Sequence, residues 1–440
     1  MTLDQTTVLR PGDGEWDAAR RFHSGIGTPA AIVRATSIDD VRGALRYAAA
    51  ERLDVMIRGG GHSAWGEVPG GLTLDISALD AIDIDPVDVE GRAIVRIGGG
   101  ARWGEVAREL SARGLGLSSG DTASVGVGGL TLGGGIGLMV RAWGLAADQL
   151  VGAQLITARG EVLEATDASH PDLLWALRGG GGNFGVVTRF DFRAHRLDGV
   201  VAAVLGVSGD ARPVLRALRE VMAEAPRELT VTYVDVPPMD PVAPAGATIT
   251  AVWVGDDEEA LRRVLAPALA LSGVDEREFG SVSYPDLLLD APEADPEHPM
   301  PGFVGGNTLL CGVSDEDIDR LAAFRESRPA SVLMLRSLGG AFGEVPQDAT
   351  PFPAREATWF AMAGAFDVPG MMDDDARAAT EADWAAIEAR GAGVYGNFTT
   401  STDPGWASRM FPPETMTRLC AVKRAWDPGN IFCRNHNLVP

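Results

Sequence analysis

The sequence predicts an α+β protein in two parts. One is a glycine-rich part whose loops close on an extended ligand; the other is an antiparallel sheet backed by helices and inserted after it. Three observations carry this. Glycine is abundant, 55 of 440 residues, and its clusters at 59–61, 98–100, 126–137 and 179–185 all fall in the first half. Short apolar strands separate those clusters, at 31–33, 53–57, 72–76, 93–97, 153–157 and 185–192, with only three helical patterns, at 37–51, 103–113 and 171–178. Ser37 is the candidate N-cap of the first helix. From about Val200 the texture changes. Strands at 201–207, 229–236, 248–254 and 332–338 alternate with helices at 211–225, 257–271 and 315–327, as in a sheet with helices on one face. Residues 290–306, rich in Pro, Asp and Gly, read as a loop over or beside a site. A helix at 413–426 and a Pro/Asn-rich tail close the chain, and no internal repeat is present.

Composition narrows the function. The chain is long enough for two or three domains. Its net charge of −23 argues against a nucleic-acid or anionic-membrane partner, which would call for a basic stripe. The three cysteines, Cys311, Cys420 and Cys433, are scattered and odd in number, so no disulfide framework or C-x-x-C metal site is expected and a cytoplasmic location is. The six histidines have no metal-ligand spacing, and no metal is expected. No secretion signal or membrane span is expected either.

The most informative stretch is Arg58-Gly59-Gly60-Gly61-His62-Ser63, which follows the strand at 53–57. Glycines let backbone N–H groups close on an anion, Arg58 can add charge, and His62 lies beside whatever the loop holds. The competing reading is a tight strand exit. Gly180-Gly181-Gly182-Asn183-Phe184-Gly185 matches G-x-G-x-x-G, but it precedes a strand and lies far from the N-terminus, which excludes a Rossmann fingerprint. No P-loop and no G-x-S-x-G elbow is present. Several glycine loops, one reactive-looking histidine and a separate second part suit a large dinucleotide held extended, FAD above all.

Five ordered segments then resemble a known family over nearly the whole chain. They are Arg58 to Ser63; Val125-Gly-Val-Gly-Gly-Leu-Thr-Leu-Gly-Gly-Gly135; Arg141 to Asp148; Asp172 to Val187; and Tyr395-Gly-Asn397-Phe398 with Lys423-Arg-Ala-Trp-Asp427-Pro-Gly-Asn430 and Asn435-His-Asn437. The chain resembles the berberine-bridge-enzyme-like FAD-linked oxidases of the vanillyl-alcohol-oxidase superfamily, in the manner of actinobacterial members of secondary metabolism.

The resemblance implies a PCMH-type FAD-binding domain over 1–197 (core about 28–196), a substrate domain over 198–390 and a segment at 391–440 that returns to the FAD domain. It implies a covalent bond from His62 to the flavin, and cofactor contacts from Arg58, Gly59, Gly60, Gly61, Ser63, Ser118, Gly120, Thr122, Val125, Gly126, Gly128, Gly129, Leu130, Gly134, Gly135, Asn183, Gly185, Val187, Tyr395 and Asn397. Thr122 stands where many relatives attach a cysteine to the flavin as well, so a single link through His62 is expected. Val125 matches the position that gates oxygen and resembles the oxygen-reactive members.

Phe398 stands where many relatives have a tyrosine base. The alternation at 332–338 places Met334 and Arg336 on one face of their strand. Arg336 is then a candidate to hold an acidic substrate, with Tyr233 and Trp253 as further lining candidates. An ion pair for Arg336, and a core role for the two aromatics, are the competing readings. His436 reads as structural.

The expected activity is hydride removal from a small, phenolic or polyketide-like substrate with O₂ as acceptor and H₂O₂ as product. Oxidation of a cyclic amine or of an alcohol or sugar is the alternative within that class. A flavin carrier without turnover is the alternative outside it. The sequence leaves the oligomeric state open.

Overall fold

The computed structural model describes residues 8–23, 25–67, 69–237, 246–290, 301–399, 401–403 and 405–440. Three sheets organise them, and two of these flank the glycine loops. The first runs Val8–Leu9, Ala31–Arg34, Leu72–Asp75, Val55–Arg58, with the last three strands parallel. Parallel strands of one sheet need a crossover, and helix Ile38–Glu51 carries the chain from Ala31–Arg34 to Val55–Arg58, leaving room for Leu72–Asp75 between them. Ser37 begins that helix, its hydroxyl accepting from the Asp40 amide at 3.2 Å. The second sheet is antiparallel, with strand Val186–Arg196 between Ala93–Gly98 and Leu150–Ile156. Strand Val55–Arg58 of the first sheet and Ala93–Gly98 of the second both run into glycine clusters, and these pack together: a Cβ on Gly59 would come 3.0 Å from the Gly99 carbonyl oxygen.

The third sheet is antiparallel and has seven strands, in the order Val274–Val282, Val200–Val207, Gly246–Val254, Leu229–Val236, Ser331–Ser337, Trp359–Asp367, Gly302–Leu310. Helices Ala211–Glu224, Glu258–Leu269, Asp315–Glu326 and Asp374–Glu388 bury one face of it, around Leu205, Ile249, Val231, Leu333 and Leu335. The opposite face carries Thr232, Arg336, Met334, Met362 and Phe360, and Phe360, Met334 and Met362 pack with Leu145, Tyr395 and Phe398 of the glycine-loop lobe.

The structure corrects three expectations here. Tyr233 pairs with Leu335 across the strands, and alternation sends both to the helix side. Tyr233 is buried in that core, as is Trp253, so neither lines a substrate site. The expected loop at 290–306 ends sooner than its composition suggests, because strand Gly302–Leu310 pairs along its length with Trp359–Asp367; residues 291–300 lie outside the described residues. Strand Val274–Val282 was not legible in the sequence. It contains Asp275-Glu276-Arg277-Glu278 and lies at the sheet edge, where charge is tolerated.

Candidate active site

Backbone meets backbone where the loop after Val55–Arg58 packs on the loop before helix Val127–Leu132. A Cβ on Gly60 would come 2.2 Å from the Gly126 nitrogen, and one on Gly126 would come 2.4 Å from the Gly60 nitrogen. Only glycine at both positions permits this approach. The paired loops form one wall of a cavity of about 540 Å³. Gly59 to Ser63, Gly120, Thr122, Val125, Gly126, Gly128, Gly129, Leu130, Gly185, Val187, Tyr395 and Asn397 all line it, and so does Arg58.

Other expected contacts do not reach the cavity. Ser118 is buried, its amide donating to Gln149 Oε1 at 2.9 Å. Gly134 and Gly135 form a positive-φ turn behind the wall, and the Gly135 amide donates to the Tyr395 hydroxyl at 3.1 Å. Asn183 is a staple for the C-terminal tail: its Nδ2 donates to the Gly180 and His436 carbonyls and its Oδ1 accepts from the Leu438 amide.

The two arginines singled out in the sequence are both engaged. Arg58 donates to Asp75 Oδ2 at 2.6 Å and to the Ala19 and Arg21 carbonyls, beneath the Phe22 ring. It fastens residues 19–22 across the first sheet, and its charge is not free for a cofactor anion. Arg336 is 2% exposed and does not line the cavity. Its Nε donates to Thr232 Oγ1 at 3.0 Å and its Nη2 to Asp121 Oδ2 at 2.6 Å.

Asp121, which the sequence did not single out, is the member of this pair that lines the cavity. Burial alone would raise its pKa, but Arg336 and the Thr122 hydroxyl more than offset that and hold the carboxyl below its ordinary value. Its partner comes from another lobe some two hundred residues away in sequence, so no local pattern could have marked it.

His62 is half-buried at the mouth of its loop. Its Nε2 lies 3.0 Å from the Ser124 hydroxyl, and its ring stacks on His23 with centroids 4.1 Å apart and planes at 18°. Burial, and then the nearby His23 and Arg102, push its pKa down to about 4, partly opposed by the Ser124 backbone. The ring is therefore a neutral imidazole near pH 7, with a lone pair available for bond formation.

The C-terminal segment completes the cavity. The Tyr395 hydroxyl accepts from the Gly135 and Ile136 amides and from Asn397 Nδ2 at 3.0 Å, and burial pushes its pKa up to about 12. It stays protonated and serves as a loop staple. Phe398 stacks edge-on with Phe360 at 5.1 Å, so the position expected to lack a base is apolar. His436 lines the cavity: its Nε2 contacts the Gly396 carbonyl at 2.9 Å while its buried Nδ1 has no partner among the described residues. Asn435 likewise lines the cavity with a buried, unmatched Oδ1.

These features fit FAD. Gly129 lines the cavity, and a Cβ there would meet no protein atom within 4 Å. The orphaned atoms of Asn435 and His436 are polar groups for a ligand to satisfy. Among the described residues no cluster of His, Cys, Asp or Glu could hold a metal, and no helix is long and apolar enough to cross a membrane.

Fold and cavity together define a flavin-linked oxidoreductase. The model of the FAD binding domain matches residues 29–166, and that described as berberine and berberine like matches 394–439. The chain is 30% identical to (R)-6-hydroxynicotine oxidase of Paenarthrobacter nicotinovorans, over 99% of this chain and 97% of that one. It superposes on the crystal structure of 6-hydroxy-D-nicotine oxidase from Arthrobacter nicotinovorans with a TM-score of 0.80, at 26% identity, over 98% and 97% of the two chains. It also shares the fold of glucooligosaccharide oxidase from Acremonium strictum, described with a 6-S-cysteinyl, 8α-N1-histidyl FAD (TM-score 0.79, 23% identity, 98% and 96% of the chains). The chain belongs to the berberine-bridge-enzyme-like family of FAD-linked oxidases.

Proposed function

We propose that this chain is an oxidase with one covalent flavin link, through His62, that takes a hydride from a small, largely apolar amine and passes the electrons to O₂. The observation that carries the substrate class is the arrangement of Arg336 and Asp121. The cation is spent inside the protein, and of the two residues it is the acidic one, Asp121, that lines the cavity. An acidic substrate held by Arg336, the expectation from the strand pattern, loses its anchor. A nitrogen with N–H bonds or positive charge gains one. The relative at 30% identity is named for oxidising hydroxynicotine, and nicotine contains a ring amine, which supports the same class.

FAD, when bound, supplies the hydride acceptor. The residues of the chain do the rest. His62 presents a neutral imidazole for the tether, and Thr122 has no thiol for a second one. Asp121, kept ionised by Arg336, attracts and orients the substrate nitrogen. Phe398 supplies apolar surface and is backed by the buried Phe360, with Met334 and Met362 packed nearby. No tyrosinate is available, since Tyr395 keeps its proton, and a free amine needs none because its lone pair assists loss of hydride from the adjacent carbon. Val125 lines the cavity, where it can control the approach of O₂.

The test is anaerobic mixing of the yellow protein with panels of secondary and tertiary amines, phenols and reducing sugars. Amines should bleach the flavin, faster as pH rises through the pKa of the amine, with H₂O₂ formed when air is admitted. Bleaching by phenols or sugars and by no amine would overturn the substrate class.

A further inference from the structure

We propose that Ser124, with His23 behind it, is a positioning residue for attachment of the flavin: it engages His62 Nε2 and so leaves Nδ1 as the atom that forms the bond. This rests on the covalent link through His62 proposed above.

The contact is built into the fold. Ser124 precedes Gly126 by two residues and His62 follows Gly60 by two, and Gly60 and Gly126 touch backbone to backbone. That contact fixes the spacing of the two loops and brings Nε2 within 3.0 Å of the Ser124 hydroxyl. His23 holds the ring from behind. Its amide donates to the Gly61 carbonyl at 2.9 Å and its ring lies on His62 at 4.1 Å. The charged and titratable groups facing His62 are His23 and Arg102. Both disfavour a second proton on the imidazole, and burial does so more.

A neutral imidazole carries one N–H and one lone pair. With Nε2–H donating to Ser124 Oγ, the lone pair lies on Nδ1. In the attachment step the new bond joins Nδ1 to the 8α carbon of the flavin. One C–H bond of that methyl group and the Nε2–H bond are lost. Two electrons pass to the isoalloxazine and then to O₂, which leaves as H₂O₂ with the two protons.

Before the step, Nε2 is a donor; after it, Nε2 holds only a lone pair. A hydroxyl serves both states, first accepting and then rotating to donate. Alanine serves neither state and threonine serves both.

The experiment uses the full chain expressed with limiting riboflavin, then mixed with FAD. Acid precipitation separates linked from dissociable flavin over time and pH, and NMR of the isolated flavin peptide identifies the linked nitrogen. Wild type should link through Nδ1. Ser124→Ala should bind FAD but link about tenfold more slowly, the value of one lost hydrogen bond at the reacting group, and its rate–pH profile should shift. Ser124→Thr should restore both. Linkage through Nε2 in the wild type, or an alanine variant that links at the wild-type rate with the same pH profile, overturns the inference and leaves the covalent reading intact. Only dissociable flavin in the wild type overturns both. If Ser124→Ala does not fold, the threonine variant and the nitrogen assignment still decide.

Discussion

Arg336 and Asp121 show how much a single partner changes the meaning of a residue. On the strand pattern Arg336 is a free cation aimed at a pocket. In the folded chain it is the buried half of an ion pair whose acidic member, Asp121, lines the cavity. Removing it by Arg336→Met strands Asp121 in a nearly closed site, and should cost about 1–3 kcal/mol of stability, short of a fully buried pair because the carboxylate keeps some access to the cavity. The sign with pH follows from the lowered pKa of Asp121. The pair contributes fully above the unfolded carboxylate pKa, near 4, and loses its contribution as pH falls through the lower folded value. Urea titrations of wild type and variant should therefore differ at pH 6 and converge toward pH 2; equal stability at pH 6 would mean the pair is electrostatically idle. Val125 gives a second residue-scale expectation. Val125→Ile should slow reoxidation of the reduced flavin by O₂ and leave anaerobic reduction unchanged, measured by stopped-flow absorbance. Equal reoxidation rates would reduce Val125 to a packing residue.

The glycine loops are the elements whose design can be separated from their content. Gly60 and Gly129 both line the cavity, but for different reasons. Gly60→Ala drives a Cβ into the Gly126 backbone, so it should lower the melting temperature of the flavin-free protein as well as its flavin retention. Gly129→Ala meets no protein atom and lies within helix Val127–Leu132, where alanine is the better helix former. It should leave the flavin-free protein as stable as wild type, or more so, yet weaken flavin retention. Differential scanning fluorimetry with and without FAD separates the two. A Gly129→Ala protein that retains flavin normally would show that the cofactor does not approach this loop.

At the scale of the molecule, the cavity depends on two lobes held in register by buried polar groups. Arg141, on helix Val140–Trp143, donates to the Leu229 carbonyl at 2.7 Å, to Ala225 at 2.9 Å and to Leu338, all in the lobe of the seven-stranded sheet. Asn307 on that sheet accepts from the Tyr395 amide at 2.7 Å and donates to the Tyr395 and Phe398 carbonyls. Lys423, fully buried, clamps Asp427 and the Asn183 and Phe432 carbonyls, which ties the C-terminal helix to the glycine loop before Val186–Arg196. Arg141→Met leaves several carbonyls without a donor and should cost about 2–4 kcal/mol. Calorimetry should then show one transition for the wild type and two for the variant, as the lobes uncouple. A single, unshifted transition would mean that the lobes are held by their apolar contacts alone.

The sequence by itself determined the elements whose signals are local. Ser37 capped its helix because an N-cap needs only its own hydroxyl and an amide three residues on. The glycine clusters marked the loops around the cavity because close backbone approach excludes every other residue type. His62, Thr122 and Phe398 could be weighed because their chemistry, or lack of it, belongs to the side chain. What only the tertiary structure decided was which partners meet. It turned Arg58 and Arg336 from candidate ligand groups into internal ion pairs. It sent Tyr233 to the helix face through the register with Leu335, and it gave Asn183 and the Tyr395 hydroxyl to loop-stapling. It also brought forward Asp121, Ser124 and the unmatched atoms of Asn435 and His436. The physical reason is the same throughout. A charge or hydrogen-bonding group acts within a few ångströms, and in this chain the atoms that close that distance often come from residues dozens to hundreds of positions away.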